Sequence, residues 1–184
     1  MIGGGADTVL SLPRSGRTVR VRELTPADLP ALRRAFVNAD PAVLRTRFAG
    51  AAPKFDTLAR RVLALDGHAR HAVAAFTADD QVVGVAEYER TEPGATAEVA
   101  VVVATAWQHE GVATALLQRL AEHALREGVT TATALISGSN SQVLELVRDI
   151  PMNHSVSYDH GAGELRVDLT DAVDARAVPR AKEA

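Results

Sequence analysis

The feature that most constrains this chain is a run of branched apolar residues that ends in a polar turn and continues directly as a helix. Glu98-Val-Ala-Val-Val-Val-Ala104 has almost no polar side chain after its first residue, and Trp107-Gln-His-Glu-Gly-Val-Ala-Thr-Ala-Leu-Leu117 follows it. The valine run reads as a central strand covered on both faces. The segment 111–127 carries helical periodicity and stops at Gly128. A strand running into a glycine-centred turn and then a helix presents unpaired backbone N–H groups at the positive end of the helix dipole. That is an anion site by construction.

The flanking segments place this unit in a mixed α/β fold. Thr18–Leu24 alternates apolar and charged residues as a half-buried strand does. Thr25-Pro-Ala-Asp28 is a helix start: Thr25 can cap, Pro26 suits the first helical position and Asp28 favours the dipole. Leu29, Leu32, Ala35 and Phe36 then share one face. Helices are predicted from Asp40-Pro41 through Phe48 and over 55–65. Strands follow at 71–77 and 82–90 around the turn Ala78–Gln81. Beyond helix 111–127 come a strand at 130–136, a helix at 140–148, and a hairpin of 155–159 with 164–169 around His160–Gly163. The order implies a mixed sheet that changes from antiparallel to parallel, with a parallel strand pair joined through helix 111–127 and a ligand crevice at the carboxyl end of the strand that precedes it.

Bulk properties narrow the function. The chain has 184 residues, enough for one domain with a substantial core. The expected division is a flexible arm over 1–16, a single domain over 17–170 and a tail over 171–184. A formal net charge of −3 argues against a general nucleic-acid binder. The absence of cysteine excludes disulfides, thiolate metal sites and cysteine nucleophiles. No apolar run has membrane-spanning length and the N-terminus lacks a secretory pattern, so the reading is a soluble cytoplasmic protein. His68 and His71 are three apart but sit at a helix end and a strand start, with no carboxylate at metal-site spacing. No metal is expected on that reading.

Nucleotide motifs fit the turn poorly. A P-loop needs Gly-Lys-Ser/Thr, and the turn has no lysine. The dinucleotide fingerprint needs three glycines, and only Gly111 is present. "AEVAVVVATAWQHEGVATALL" resembles instead the acetyl-CoA-binding motif of the GNAT superfamily of N-acetyltransferases. The Gln/Arg-x-x-Gly-x-Gly/Ala signature reads here as Gln108-His109-Glu110-Gly111-Val112-Ala113. The resemblance extends over about residues 18 to 169. "DPAVLRTRF" and "DGHARHAVAAF" are most similar to the acetyltransferase domain of bacterial protein-lysine acetyltransferases.

The resemblance implies a GNAT-like fold, a parallel strand pair splayed at the acetyl-CoA site, helices on both faces of the sheet, and acetyl transfer to an amine. Gln108, His109, Glu110, Gly111, Val112, Ala113 and Thr114 are the implied pyrophosphate-binding residues. The backbone N–H groups of Val101, Val102 and Val103 are the candidates for the acyl and pantetheine amides. Asn140 is the candidate for the CoA arm, with a helix N-cap as its plain alternative. Glu98 matches the glutamate that some protein-acetylating relatives use as general base; its plain alternative is a solvated carboxylate at a strand end. Glu87 is held in reserve. The sequence departs from the family where tyrosine is usual, at Val147, and where Gly-Phe is usual, at Pro151-Met152. These departures motivate the alternative of a non-catalytic acyl-CoA-binding or regulatory module. The expected partners are acetyl-CoA and an amine acceptor, a protein lysine before a small-molecule amine. A homodimer is compatible with the reading, and neither nucleic acid nor membrane is expected.

Overall fold

The computed structural model describes residues 7–40, 55–91, 94–137, 153–159 and 162–170. Within them lie strands β1 (Thr8–Ser11), β2 (Thr18–Glu23), β3 (Arg70–Phe76), β4 (Val82–Arg90), β5 (Thr96–Val103), β6 (Thr131–Ser137), β7 (His154–Asp159) and β8 (Ala162–Asp168). The helices are α1 (Leu29–Val37), α2 (Phe55–Val62) and α3 (Val112–Arg126). One eight-stranded sheet has the order β1-β2-β3-β4-β5-β6-β8-β7. It is mostly antiparallel, with a parallel pair of β5 and β6 connected through α3. This is the mixed α/β architecture the sequence implies. Among the described residues no helix is long and apolar enough to cross a membrane. The helices expected at 40–48 and 140–148 lie outside the described residues.

The chain divides into two compact units, Met1–Glu89 with Val99–His123, and Arg90–Glu98 with Ala124–Ala184. In the first, β1 to β4 form an antiparallel meander. Ala72, Ala74 and Phe76 of β3 point to one face. There they pack with Leu32 and Phe36 of α1 and with Leu58, Ala59 and Val62 of α2. The opposite face carries α3. On β4, opposite Ala75, stands Gly84, and a Cβ built on it would lie 2.9 Å from Leu116 Cδ1 and 3.3 Å from Val112 Cγ1. Val112 and Leu116 are themselves buried. Gly84 therefore lets the helix that heads the anion turn settle directly on the strand.

In the second unit the β5–β6 ladder pairs Thr96–Glu98 with Thr131–Thr133, and β6 continues antiparallel to β8 over seven residue pairs. The end of α3 closes as expected: Gly128 has φ +80, and the N–H of Val129 donates to Ala124 O at 2.8 Å.

Three expectations are corrected. Residues 8–11 belong to no loose arm, because Thr8–Ser11 forms β1 in register with β2. Its residues are mostly exposed, so the strand carries little apolar signal and is held by backbone pairing with its neighbour. The strand β5 is not fully covered. Val99, Val101 and Val102 are half-buried, while Val103 is buried. The last strand starts earlier than expected, since Ala162 and Gly163 already pair in β8.

The start of α1 is braced more strongly than a simple cap. Asp28 is buried and accepts from both guanidinium N–H groups of Arg22, at 2.7 and 2.9 Å. It also accepts from the N–H and hydroxyl of Thr25 at 2.8 and 2.9 Å. Arg22 in turn lies 3.9 Å above the Phe76 ring. Burial pushes the Asp28 carboxyl up, but the bonds from Arg22 and Thr25 outweigh it and hold it below the usual carboxylate range. A depressed folded-state value stabilises the fold above the unfolded value of about 3.9 and is lost as pH falls through the folded one. Asp28→Asn should therefore cost about 2 kcal/mol near neutrality. Urea unfolding at a series of pH values below 5 should show the gap to wild type closing in acid.

Candidate active site

The glycine-centred turn is built in the first unit from the end of β5 to the first turn of α3. After Val103 the chain makes a short 3₁₀ turn, Thr105–Trp107, and leaves it extended at Gln108. His109 has φ +58 and Gly111 φ +83. Gly111 is the position that demands glycine, because an L side chain pays for that left-handed conformation. Space above it is open: a Cβ there would have nothing within 4 Å. Gly111 O accepts from the N–H of Ala115 at 3.0 Å, so the helical ladder starts there. The N–H groups of Val112, Ala113 and Thr114 head the helix, where first-turn N–H groups have no partner within the helix itself. Open space above a glycine and a helix N-terminus together make a cradle that a phosphate fits.

The predicted residues that are described take these places. Gln108 is half-buried, and its Nε2 donates to Val103 O at 3.0 Å. That side chain braces the turn against the strand end. His109 and Thr114 are exposed, Val112 is buried in the core and Ala113 is half-buried. Val101, Val102 and Val103 lead into the turn along β5. Glu98 lies on the same strand but in the second unit, exposed and in register with Thr133. Glu87 is half-buried on β4 opposite Ala72, on the face of β3 that packs against α1 and α2. Asn140, Val147, Pro151 and Met152 lie outside the described residues. Arg60 and Arg61 of α2 are exposed: Arg60 donates to Asp56 at 2.9 Å and Arg61 to Glu89 at 3.4 Å.

The sequence reading missed Arg17. From the loop between β1 and β2 its guanidinium sits 3.8 Å over the Trp107 ring. Its Nη2 donates to Ala106 O at 2.9 Å and pairs with Glu110 Oε1 at 3.3 Å. An anion turn containing a glutamate is electrostatically awkward, and Arg17 offsets that charge from outside the turn. The contact spans 93 residues of sequence, so no local pattern announces it.

With this geometry in view, the chain belongs to the acetyltransferase (GNAT) domain family, whose model matches residues 18–152. It is an N-acetyltransferase of that family. Among solved structures, the GNAT domain of S. lividans PAT shares 26% identity over 88% of this chain and 96% of that one, with a TM-score of 0.78. A cAMP-binding acyltransferase from Mycobacterium smegmatis is 19% identical, covering 89% of this chain but 47% of its own, with a TM-score of 0.61. Spermidine N-acetyltransferase from Vibrio cholerae, in complex with CoA and spermine, is 16% identical over 84% of this chain and 98% of that one, with a TM-score of 0.63. No curated protein matches.

The backbone of the turn makes its own prediction. Gly111→Ala should lower stability by about 1–2 kcal/mol through strain alone, since the added methyl meets no neighbour. The check is the denaturation midpoint at unchanged m-value.

Proposed function

We propose that the chain binds acetyl-CoA at the turn Gln108–Thr114 and transfers the acetyl group to a primary amine, with a protein lysine as the preferred acceptor. The observation that carries the reading is Gly111 at φ +83 under open space at the head of α3. It fits the pyrophosphate of CoA, which the N–H groups of Val112, Ala113 and Thr114 would hold. Backbone N–H groups of Val101 to Val103 extend the same line toward the thioester and its pantetheine amides. The likeness to S. lividans PAT and the sequence resemblance to protein-lysine acetyltransferases support the lysine acceptor. The spermidine N-acetyltransferase neighbour keeps small amines as the next class to try.

The chemistry is direct attack. The amine nitrogen forms a bond to the thioester carbonyl carbon. The tetrahedral intermediate collapses with cleavage of the carbon–sulfur bond, and CoA leaves as a thiolate that takes up the second proton lost by the nitrogen, through water. An amine with a lysine-like pKa of about 10.4 arrives protonated at neutral pH, so a base must take its proton. Glu98 is the assigned base, directly or through water. Positioning of the two substrates supplies much of the rest.

The experiment is thiol release from acetyl-CoA with lysine peptides, repeated across pH. Glu98→Gln should lower turnover by about 10²- to 10⁴-fold at neutral pH, with the loss shrinking as pH rises and with CoA affinity nearly unchanged. Near wild-type turnover at pH 7 would remove Glu98 from the mechanism. Loss of CoA binding as well would make its role structural.

Arg17 supplies a second expectation. Arg17→Met keeps the apolar stem but leaves Glu110 uncompensated beside an anionic ligand. CoA affinity should fall by roughly fivefold, about 1 kcal/mol, and the effect should weaken in high salt. Calorimetric titration at two salt concentrations measures both.

A further inference from the structure

On the face of the first unit that carries α3, well along the helix from the anion turn, three ligand-bearing side chains meet. Glu23 ends β2, His71 lies in β3, and His123 lies on α3. One ligand atom from each falls within 4.8 Å of the others. From Val112 to His123 the helix rises about 16 Å, so this cluster is separate from the proposed CoA turn. It is also shielded: His71 is buried, and Glu23 and His123 are half-buried.

We propose that Glu23, His71 and His123 form a binding site for a zinc-class divalent cation. Two imidazoles and one carboxylate are a ligand set that zinc accepts, with water in the fourth position. Zinc–ligand bonds of about 2.0–2.2 Å put tetrahedral ligand atoms about 3.3–3.5 Å apart, so shifts of about an ångström close the set. The imidazoles are held as a pair, with ring centroids 3.4 Å apart and planes 4° from parallel.

Outer contacts support the same use. Tyr88, buried on β4 in register with His71, places its hydroxyl 3.1 Å from His123 Nδ1 and 3.4 Å from His68 O. With its hydrogen on the carbonyl, the hydroxyl accepts from Nδ1–H, which is the tautomer that carries its lone pair on Nε2. Arg119 lies 3.8 Å from one Glu23 oxygen and 3.8 Å from Glu122, so its charge is shared between two carboxylates beside the cluster. Parallel rings cannot both aim their in-plane lone pairs at one point. Metal binding therefore turns one ring out of the stack about its Cβ–Cγ bond, and that turn is a readout in itself.

The test uses the full chain without a histidine tag, stripped with EDTA and titrated with Co²⁺ followed by visible absorption. One Co²⁺ per chain should bind with ligand-field bands and be displaced by Zn²⁺. His123→Gln and Glu23→Gln should each weaken binding at least tenfold, and Tyr88→Phe by about 10- to 100-fold, with circular dichroism confirming that each variant is folded. Where a variant does not fold, ring ¹⁵N spectra of the wild type decide: Zn²⁺ should shift the His71 and His123 nitrogens. Absence of stoichiometric cobalt binding, unchanged affinity in both substituted proteins, or zinc shifts confined to the other four histidines would overturn the site.

Discussion

The seat of α3 on Gly84 is the contact on which the candidate site depends. Leu116 and Val112 occupy the volume that any side chain at that position would need. Close packing there sets how the first turn of the helix meets β4, and hence where the N–H groups of Val112 to Thr114 lie relative to the end of β5. The rest of the turn follows from that seat. Val103 accepts the Gln108 amide, Gly111 takes the left-handed conformation, and the helical ladder begins at its carbonyl. A backbone anion site has no side chain to adjust, so its precision comes from the packing beneath it.

Electrostatic support comes from farther away in sequence. Glu110 brings negative charge into a turn suited to an anion, and Arg17 pairs with it from the β1–β2 loop while stacking on Trp107. Arg22 plays a comparable part for α1, where it compensates the buried Asp28 and covers Phe76. In both cases one arginine joins a charge and an aromatic ring from different elements, which a planar guanidinium does better than an ammonium.

What was legible in the sequence was local. Period-two alternation marked β2, the valine run marked β5, and the Gly111 and Gly128 punctuation bracketed α3 within a residue at each end. The glycine-centred turn at the head of α3 could be located because it carries a short signature. The strand β1 could not, because exposed residues held by pairing leave little apolar pattern. Arg17 escaped for a different reason: its partners lie 89 and 93 residues away. The meeting of His71 with Glu23 and His123 was hidden for the same cause. His68 suggested itself by spacing, whereas the register of β2 and β3 and the packing of α3 bring the other two together.

The central claim is that the head of α3 holds the CoA pyrophosphate, and thermal unfolding with and without acetyl-CoA tests it most directly. A ligand that binds only the folded state stabilises it by mass action, by about 2.7 kcal/mol at a hundred times its dissociation constant. Wild type should show a concentration-dependent rise in Tm. Gly111→Glu, which puts bulk and negative charge into the open space above the turn, should fold with no such rise. An equal rise in the two proteins would contradict the account.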